Sequence, residues 1–349
     1  MFNFSNVILS KIIIHHIGNQ QNNEGVRYSK SPLQLAENDE VRPLLLHYFL
    51  LPFKPGAFFN FQNAEDGKLN LVSHYVSKIF ESPESFYNQS VLLAEHLYSV
   101  SNHPKIKSGE LYLVYLKDCV VEGEVCDALG IFKSENRETF LKVYPQNDGF
   151  EIDYEAGINI KKLDKGCLIF NTERESGYKI SIVDNVKAKG EAQYWKDDFL
   201  GLKMREDNFY KTENYLAMCK SFVDEIYNSD HNVERPDQID FLNKSVDFFS
   251  DSENFSQKEF EERVLENDEV INAFHDYKQE FERKNEFESE MEFTVSEDAV
   301  KAMKRKFKSI LKLDKNFHIY IHGNRDRIIR GRDEEKGMNF YKIYFNNEE

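Results

Sequence analysis

The sequence predicts an α+β protein: a mostly antiparallel sheet with flanking helices, followed by a mainly helical C-terminal part that ends in a small β element. Three features carry this expectation. Short β-branched or aromatic runs, divided by polar turns, crowd residues 110 to 183. Apolar residues then recur at helical spacing after Tyr194. Short apolar runs return between residues 317 and 345. A length of 349 residues suggests two domains and allows a sizeable core without disulfides or metals. Aromatic residues, at 14% of the chain, supply material for that core.

Val7 to Ile17 is rich in Ile and Val and reads as a strand. Asp39 to Leu50 reads as a helix, capped by Asn38 or Asp39, with Pro43 tolerated in the first turn. Leu69 to Phe80 and Ser85 to Val100 read as two further helices divided at Pro83. Strands are expected around Leu111–Leu116, Ala128–Phe132, Thr139–Tyr144, Cys167–Phe170 and Tyr178–Val183. Asn147-Asp148-Gly149 and Glu175-Ser176-Gly177 are turn sequences between them, the pattern of antiparallel hairpins.

Asn208 to Tyr227 carries Tyr215, Leu216, Cys219, Phe222, Val223 and Ile226 as a helical stripe. Ser229 to Pro236 reads as a linker, which divides the chain into an α+β domain, 1–230, and a C-terminal part, 231–349. Residues 237 to 290 read as acidic helices. Met291–Val295 reads as a strand, Glu297–Leu313 as a helix, and strands follow near Phe317–His322, Arg327–Arg330 and Met338–Phe345.

Charge is the most informative functional feature. The chain carries a formal net charge of −16, which repels DNA, RNA and anionic lipid unless a local basic surface exists. Glu234 to Asp298 holds 21 acids and 7 bases, whereas Ala299 to Arg332 holds 11 bases and 2 acids. The predicted basic helix has Ser296 as N-cap and Glu297 and Asp298 in its first turn, where the helix dipole favours acids. Val300, Met303, Phe307, Ile310 and Leu311 would form its apolar face, with Lys301, Arg305, Lys308 and Lys312 on another. Candidate DNA contacts are therefore Lys301, Lys304, Arg305, Lys308, Lys312, Arg325, Arg327 and Arg330. Cations of this kind neutralise phosphates and release counterions without reading sequence. The alternative is a solvated face paired in cis with the acidic helices before it. Both hold together if the acidic segment masks the basic face until DNA competes for it.

Catalytic motifs are sparse. No dinucleotide-binding glycine fingerprint, P-loop, HExxH, EF-hand loop or nucleophile elbow occurs. His15 and His16 are adjacent in a strand and so face opposite ways. His318 and His322 share a strand face but would lie ~13 Å apart, too far for one metal, and read as surface or cross-strand residues. His96 and His103 receive no role. Asp326 followed by Glu334-Glu335-Lys336 is similar in order to the acid-then-ExK pattern of metal-dependent nucleases, but Arg332 to Gly337 reads as a hairpin loop. Asp197-Asp198 read as acids at a helix start. Cys119, Cys126, Cys167 and Cys219 form no CxxC pair and read as free thiols. No run reaches the ~20 apolar residues of a membrane span, and the N-terminus does not read as a signal peptide.

Tyr194-Trp195-Lys196-Asp197-Asp198-Phe199-Leu200-Gly201, ahead of a long helix, resembles the NdpA-type bacterial nucleoid-associated proteins, the YejK group. Gly109–Val114 with Leu129–Phe132, Ile158–Ile160 with Cys167–Phe170, and Val7–His16 agree with that resemblance, which is strongest from Glu110 to Val223. It implies a cytoplasmic protein found with the bacterial chromosome and supplies no catalytic or other site residues. Physically, Trp195, Phe199 and Leu200 are expected to pin the start of the helical part to the sheet, and Gly201 to permit a sharp bend. The expected function is thus nucleoid association, by non-specific contact with double-stranded DNA or through nucleoid proteins. A scaffold without DNA contact and a metal-dependent nuclease are the alternatives. No enzymatic activity, cofactor or membrane partner is expected, and homo-oligomerisation is left open.

Overall fold

The computed structural model describes residues 2–35, 40–62, 69–185, 194–231, 233–285, 287–307, 309–323 and 325–347. It divides into two compact units, Met1–Arg205 and Glu206–Glu349. The division expected at residues 230 and 231 falls inside the second unit, because the helix from Asn208 shares its core.

The first unit is built on a nine-stranded antiparallel sheet. Its strands are β1 (Phe2–Asn3), β2 (Ile8–Ile17), β3 (Val26–Arg27), β4 (Phe59–Phe61), β5 (Gly109–Val121), β6 (Glu124–Ser134), β9 (Lys165–Phe170), β10 (Lys179–Asp184) and β11 (Leu202–Met204). The order is β11-β4-β10-β9-β6-β5-β2-β3, with β1 paired to β5. The two strands between β6 and β9, β7 (Glu138–Gln146) and β8 (Gly149–Gly157), form a hairpin of their own.

Side-chain alternation sends two apolar rows out of the large sheet, and helices cover both. On one face Ile13, Leu113, Leu129, Ile131 and Ile169 pack against α2 (Leu71–Glu81) and α3 (Phe86–Val100). On the other, Ile12, Val114, Phe132, Leu168 and Phe170 meet Phe49 of α1 (Val41–Leu50) and the Phe53 and Phe58 that follow it. The expected α1 caps Asn38 and Asp39 lie outside the described residues. Pro83 opens a single 3-10 turn, Pro83–Ser85, that separates α2 from α3.

Tyr194–Leu200 winds as one π-helical turn within this unit. Trp195 and Leu200 are fully buried, and Phe199 lies against the Trp195 ring with centroids 5.1 Å apart. Gly201 has φ +59°, and an added Cβ would stand 2.7 Å from the Asn70 side chain. Asn70 caps α2 by accepting from the Ser73 N–H at 2.9 Å and donates to the Leu200 carbonyl at 3.0 Å. Asp197 and Asp198 are exposed on the turn. Tyr194 closes a buried polar network: its hydroxyl donates to Glu135 at 2.7 Å, and Lys133 Nζ donates to the same carboxylate at 2.8 Å. Lys133 and Lys165, both completely buried, sit 5.6 and 5.1 Å from the Tyr194 ring centroid, and Lys165 is paired with Asp184 at 3.0 Å. Burial lowers the Lys133 pKa, against the opposing pull of Glu135.

His15 is also buried. Its Nδ1 accepts from the Ser29 N–H at 3.2 Å, so Nε2 is the protonated nitrogen facing Ser90 Oγ at 2.9 Å. Burial depresses its pKa from 6.5 to about 4. A depressed folded-state value means the stabilising contribution is complete above pH 6.5 and is lost as pH falls toward 4. A comparison of His15→Gln with the wild type is expected to show wild-type stability falling by an additional ~2–3 kcal/mol over that window, measured by urea unfolding at pH 7 and pH 4. His16, on the opposite face, is exposed.

The second unit packs α4 (Asn208–Glu225), α5 (Arg235–Asp251), α6 (Gln257–Phe260), α7 (Asp268–Asn285) and α8 (Glu297–Lys304) around an aromatic core. Tyr215 and Phe222 of α4 project into it; Tyr215 lies 4.3 Å from Phe255 and Phe222 lies 5.1 Å from Phe274, centroid to centroid. A two-stranded ribbon, β12 (Asn254–Ser256) and β13 (Glu292–Thr294), closes one side. Two hairpins end the unit: β14 (Ile310–Leu313) with β15 (Phe317–Tyr320), and β16 (Ile328–Asp333) with β17 (Met338–Ile343). Leu311, Ile321 and Ile328 fix them to Ile239 of α5.

The predicted helix Glu297–Leu313 is corrected: it ends at Lys304. Its start is as expected, with Ser296 Oγ accepting from the Ala299 N–H. Beyond Met303 the bonds tighten, Lys306 N to Met303 O and Phe307 N to Lys304 O, and the chain leaves the helix. Like charges at i, i+4, such as Lys301 with Arg305, oppose continuation. Leu311 gains burial only when Ile310–Leu313 runs as a strand against β15.

Candidate nucleic-acid interface

The shortened helix redistributes the candidate cations, which do not form one helical stripe. Lys301 and Lys304 lie on α8, Arg305 caps its end, Lys312 is on β14, Arg325 and Arg327 are on a 3-10 turn, and Arg330 is on β16. Lys308 lies outside the described residues.

Carboxylates neutralise several of them. Arg325 is a quarter exposed; its Nε reaches Asp237 at 2.5 Å and its Nη2 reaches Glu234 at 3.3 Å. Its Nη2 also donates to Asp237 at 3.2 Å, and its Nη1 donates to the Ile328 carbonyl. Hydrogen bonding to Asp237 raises the Arg325 pKa further. Arg330 approaches the same Glu234 at 3.8 Å. Lys301 pairs with Glu297 one turn earlier on α8, and Lys306 pairs with Glu213. The acidic segment therefore does hold part of the basic one. Its removal would not isolate that effect, however, because α5 to α7 supply Phe241, Phe249, Phe260 and Phe274 to the core.

Lys304, Arg305, Lys312, Lys315 and Arg327 are exposed and have no carboxylate within ion-pair distance among the described residues. Lys304 lines a groove of about 420 Å³ together with Phe307, Ile310, Tyr320 and His322. Asp247 is the single acid lining it. The strand register extends this face. Ile310 stands opposite Tyr320 and Lys312 opposite His318, so all four point outward while Leu311 turns to the core. Lys312 lies ~7 Å farther along β14 than Ile310, and Lys315 follows in the β14–β15 turn. Tyr320, opposite Ile310, is 63% exposed. Tyr320 escaped the sequence reading, although the alternation of Phe317 to Ile321 carried its orientation; His318 is exposed opposite Lys312, in keeping with its reading as a surface or cross-strand residue.

The same register separates His318, on the strand, from His322, beyond its end. Glu334-Glu335-Lys336 occupies the β16–β17 turn, where Glu334 pairs with Arg332 and Lys336 with Asp333. Among the described residues no group of three or more His, Cys, Asp or Glu side chains is placed to hold a metal ion. None of the described helices is long and apolar enough to cross a membrane.

Fold and surface define the class: a two-unit α+β protein, acidic overall, with an unpaired cationic and aromatic face on its second unit. The chain belongs to the family of nucleoid-associated protein YejK, whose model matches residues 13–337. That match spans both units and extends well beyond the 110–223 stretch in which the resemblance was strongest. No curated protein matches the chain. Family membership gives the chain a nucleoid-associated role and a nucleoid location.

Proposed function

We propose that the chain reaches the nucleoid by direct, non-specific contact with double-stranded DNA through Lys304, Arg305, Lys312 and Lys315. The carrying observation is that these four cations are exposed and lack carboxylate partners among the described residues, in a chain of net charge −16, with Lys304 lining a groove beside the β14–β15 hairpin that bears Lys312 and Lys315. Lysine and arginine here meet phosphate oxygens without approaching base edges, so affinity comes from counterion release. Tyr320 adds a hydroxyl donor and an apolar ring beside the backbone path. Arg327 is exposed on the following turn and adds a further phosphate contact, whereas Arg325 and Arg330 are held by Glu234 and Asp237.

The purified chain is expected to bind two unrelated duplexes of equal length with equal affinity at low salt, measured by fluorescence anisotropy. Absence of binding to both would favour attachment through DNA-bound proteins. A duplex preference above tenfold would point to base readout, for which this face has no recognition helix.

A further inference from the structure

Among the described residues, the hairpin of β7 and β8 has no partner for one of its faces. Its register places Leu141 opposite Tyr154, Val143 opposite Ile152, and Pro145 opposite Phe150. These six residues share one face, and none is charged. Leu141, Val143, Phe150, Ile152 and Tyr154 are each between 61 and 77% exposed. The reverse face is mixed: Lys142 pairs with Glu155, Asp153 and Glu151 stand beside them, and Phe140 and Tyr144 alternate with these charges at 42 and 40% exposure. The base is anchored where Asn159 and Lys162 hold Glu138 at 2.7 and 2.6 Å. A two-stranded ribbon in water is marginal by itself, so this face needs cover.

We propose that the cover is the same hairpin of a second copy of this chain, stacked face to face about a two-fold axis. From base to tip the rungs are Thr139/Ala156, Leu141/Tyr154, Val143/Ile152 and Pro145/Phe150. An antiparallel two-fold stack sets the bulky tip rung of one copy over the small base rung of the other and interleaves the two middle rungs. The face is thus complementary to itself, as an isologous interface requires. Two aromatic and three aliphatic side chains offer roughly 600 Å² on each copy, so the pair buries ~1,200 Å², enough for a specific interface. Glu151, Asp153 and Glu155 point outward in this stack, where they avoid both burial and each other. Those acids also exclude a polyanion as the occupant.

The test uses the full chain without DNA, so it is independent of the DNA-binding proposal. Light scattering after gel filtration is expected to give twice the chain mass for the wild type and a single chain mass for Ile152→Glu, with circular dichroism showing that the variant chain is still folded and its melting no longer dependent on protein concentration. Chains carrying Phe150→Cys, mixed with chains carrying Ala156→Cys and oxidised with diamide, are expected to cross-link in the mixture beyond either variant alone. A wild type that stays monomeric at micromolar concentration overturns the proposal. So does an Ile152→Glu protein that remains dimeric, which would place the interface elsewhere, or a mixture that forms no excess of cross-linked dimer.

Discussion

Trp195→Ala is expected to destabilise the first unit by ~3–5 kcal/mol. The side chain is fully buried between the sheet and helices α2 and α3, in contact with Phe199 and the rest of the largest apolar cluster. Its indole N–H has no hydrogen-bond partner among the described residues, so truncation removes packing and opens a cavity without breaking a polar contact seen there. For a unit of this size the loss corresponds to a fall in melting temperature of roughly 8–15 °C. Trp195→Phe keeps much of the volume and is expected to cost less than half as much. Thermal unfolding followed by circular dichroism checks both, and a loss below ~1 kcal/mol for the alanine variant would show that the site collapses around the gap.

Replacing Lys304, Arg305, Lys312 and Lys315 together by glutamine is expected to weaken duplex binding by ~10²–10³-fold at low salt. Each charge-assisted phosphate contact contributes about 1 kcal/mol net, and tenfold in affinity corresponds to ~1.4 kcal/mol. The four side chains are exposed and outside the apolar clusters, so stability is expected to move by no more than ~0.5 kcal/mol. Arg325→Gln is the matched control. Asp237 and Glu234 already neutralise that guanidinium, so its loss should leave DNA affinity nearly unchanged. Equal affinities for the four-site variant and the wild type would move the contact to another surface.

Much of the sheet was legible because its strands announce themselves through β-branched and aromatic runs. β5, β6, β9 and β10 all fall on such runs, and Asn147 and Asp148 do connect β7 to β8. Strand β8 was missed, although Phe150 to Ala156 alternates apolar residues with acids at the period of a strand. The basic helix failed for a different reason. Val300, Met303, Phe307 and Leu311 fit a helical period, yet the burial of Leu311 beside Ile239 decided the backbone, and that contact spans 72 residues of chain. Charge counting located the cationic segment but could not divide it. The pairing of Arg325 with Glu234 and Asp237 depends on how the terminal hairpins dock onto α5, which no local pattern encodes. The Tyr194–Gly201 motif was recognisable before its purpose was. Tyr194 is there to close the Lys133, Lys165 and Glu135 network, and Gly201 to let the chain pass Asn70 with a positive φ.

Phosphate contact by a few unpaired cations has a direct thermodynamic readout, the dependence of duplex affinity on salt. A plot of log affinity against log salt concentration for the wild type is expected to fall with a slope between about −3 and −5, and the four-site glutamine variant to fall with a slope near −1 or shallower. Identical slopes for the two proteins, or a wild type whose binding ignores salt, would contradict direct electrostatic attachment to DNA through this face.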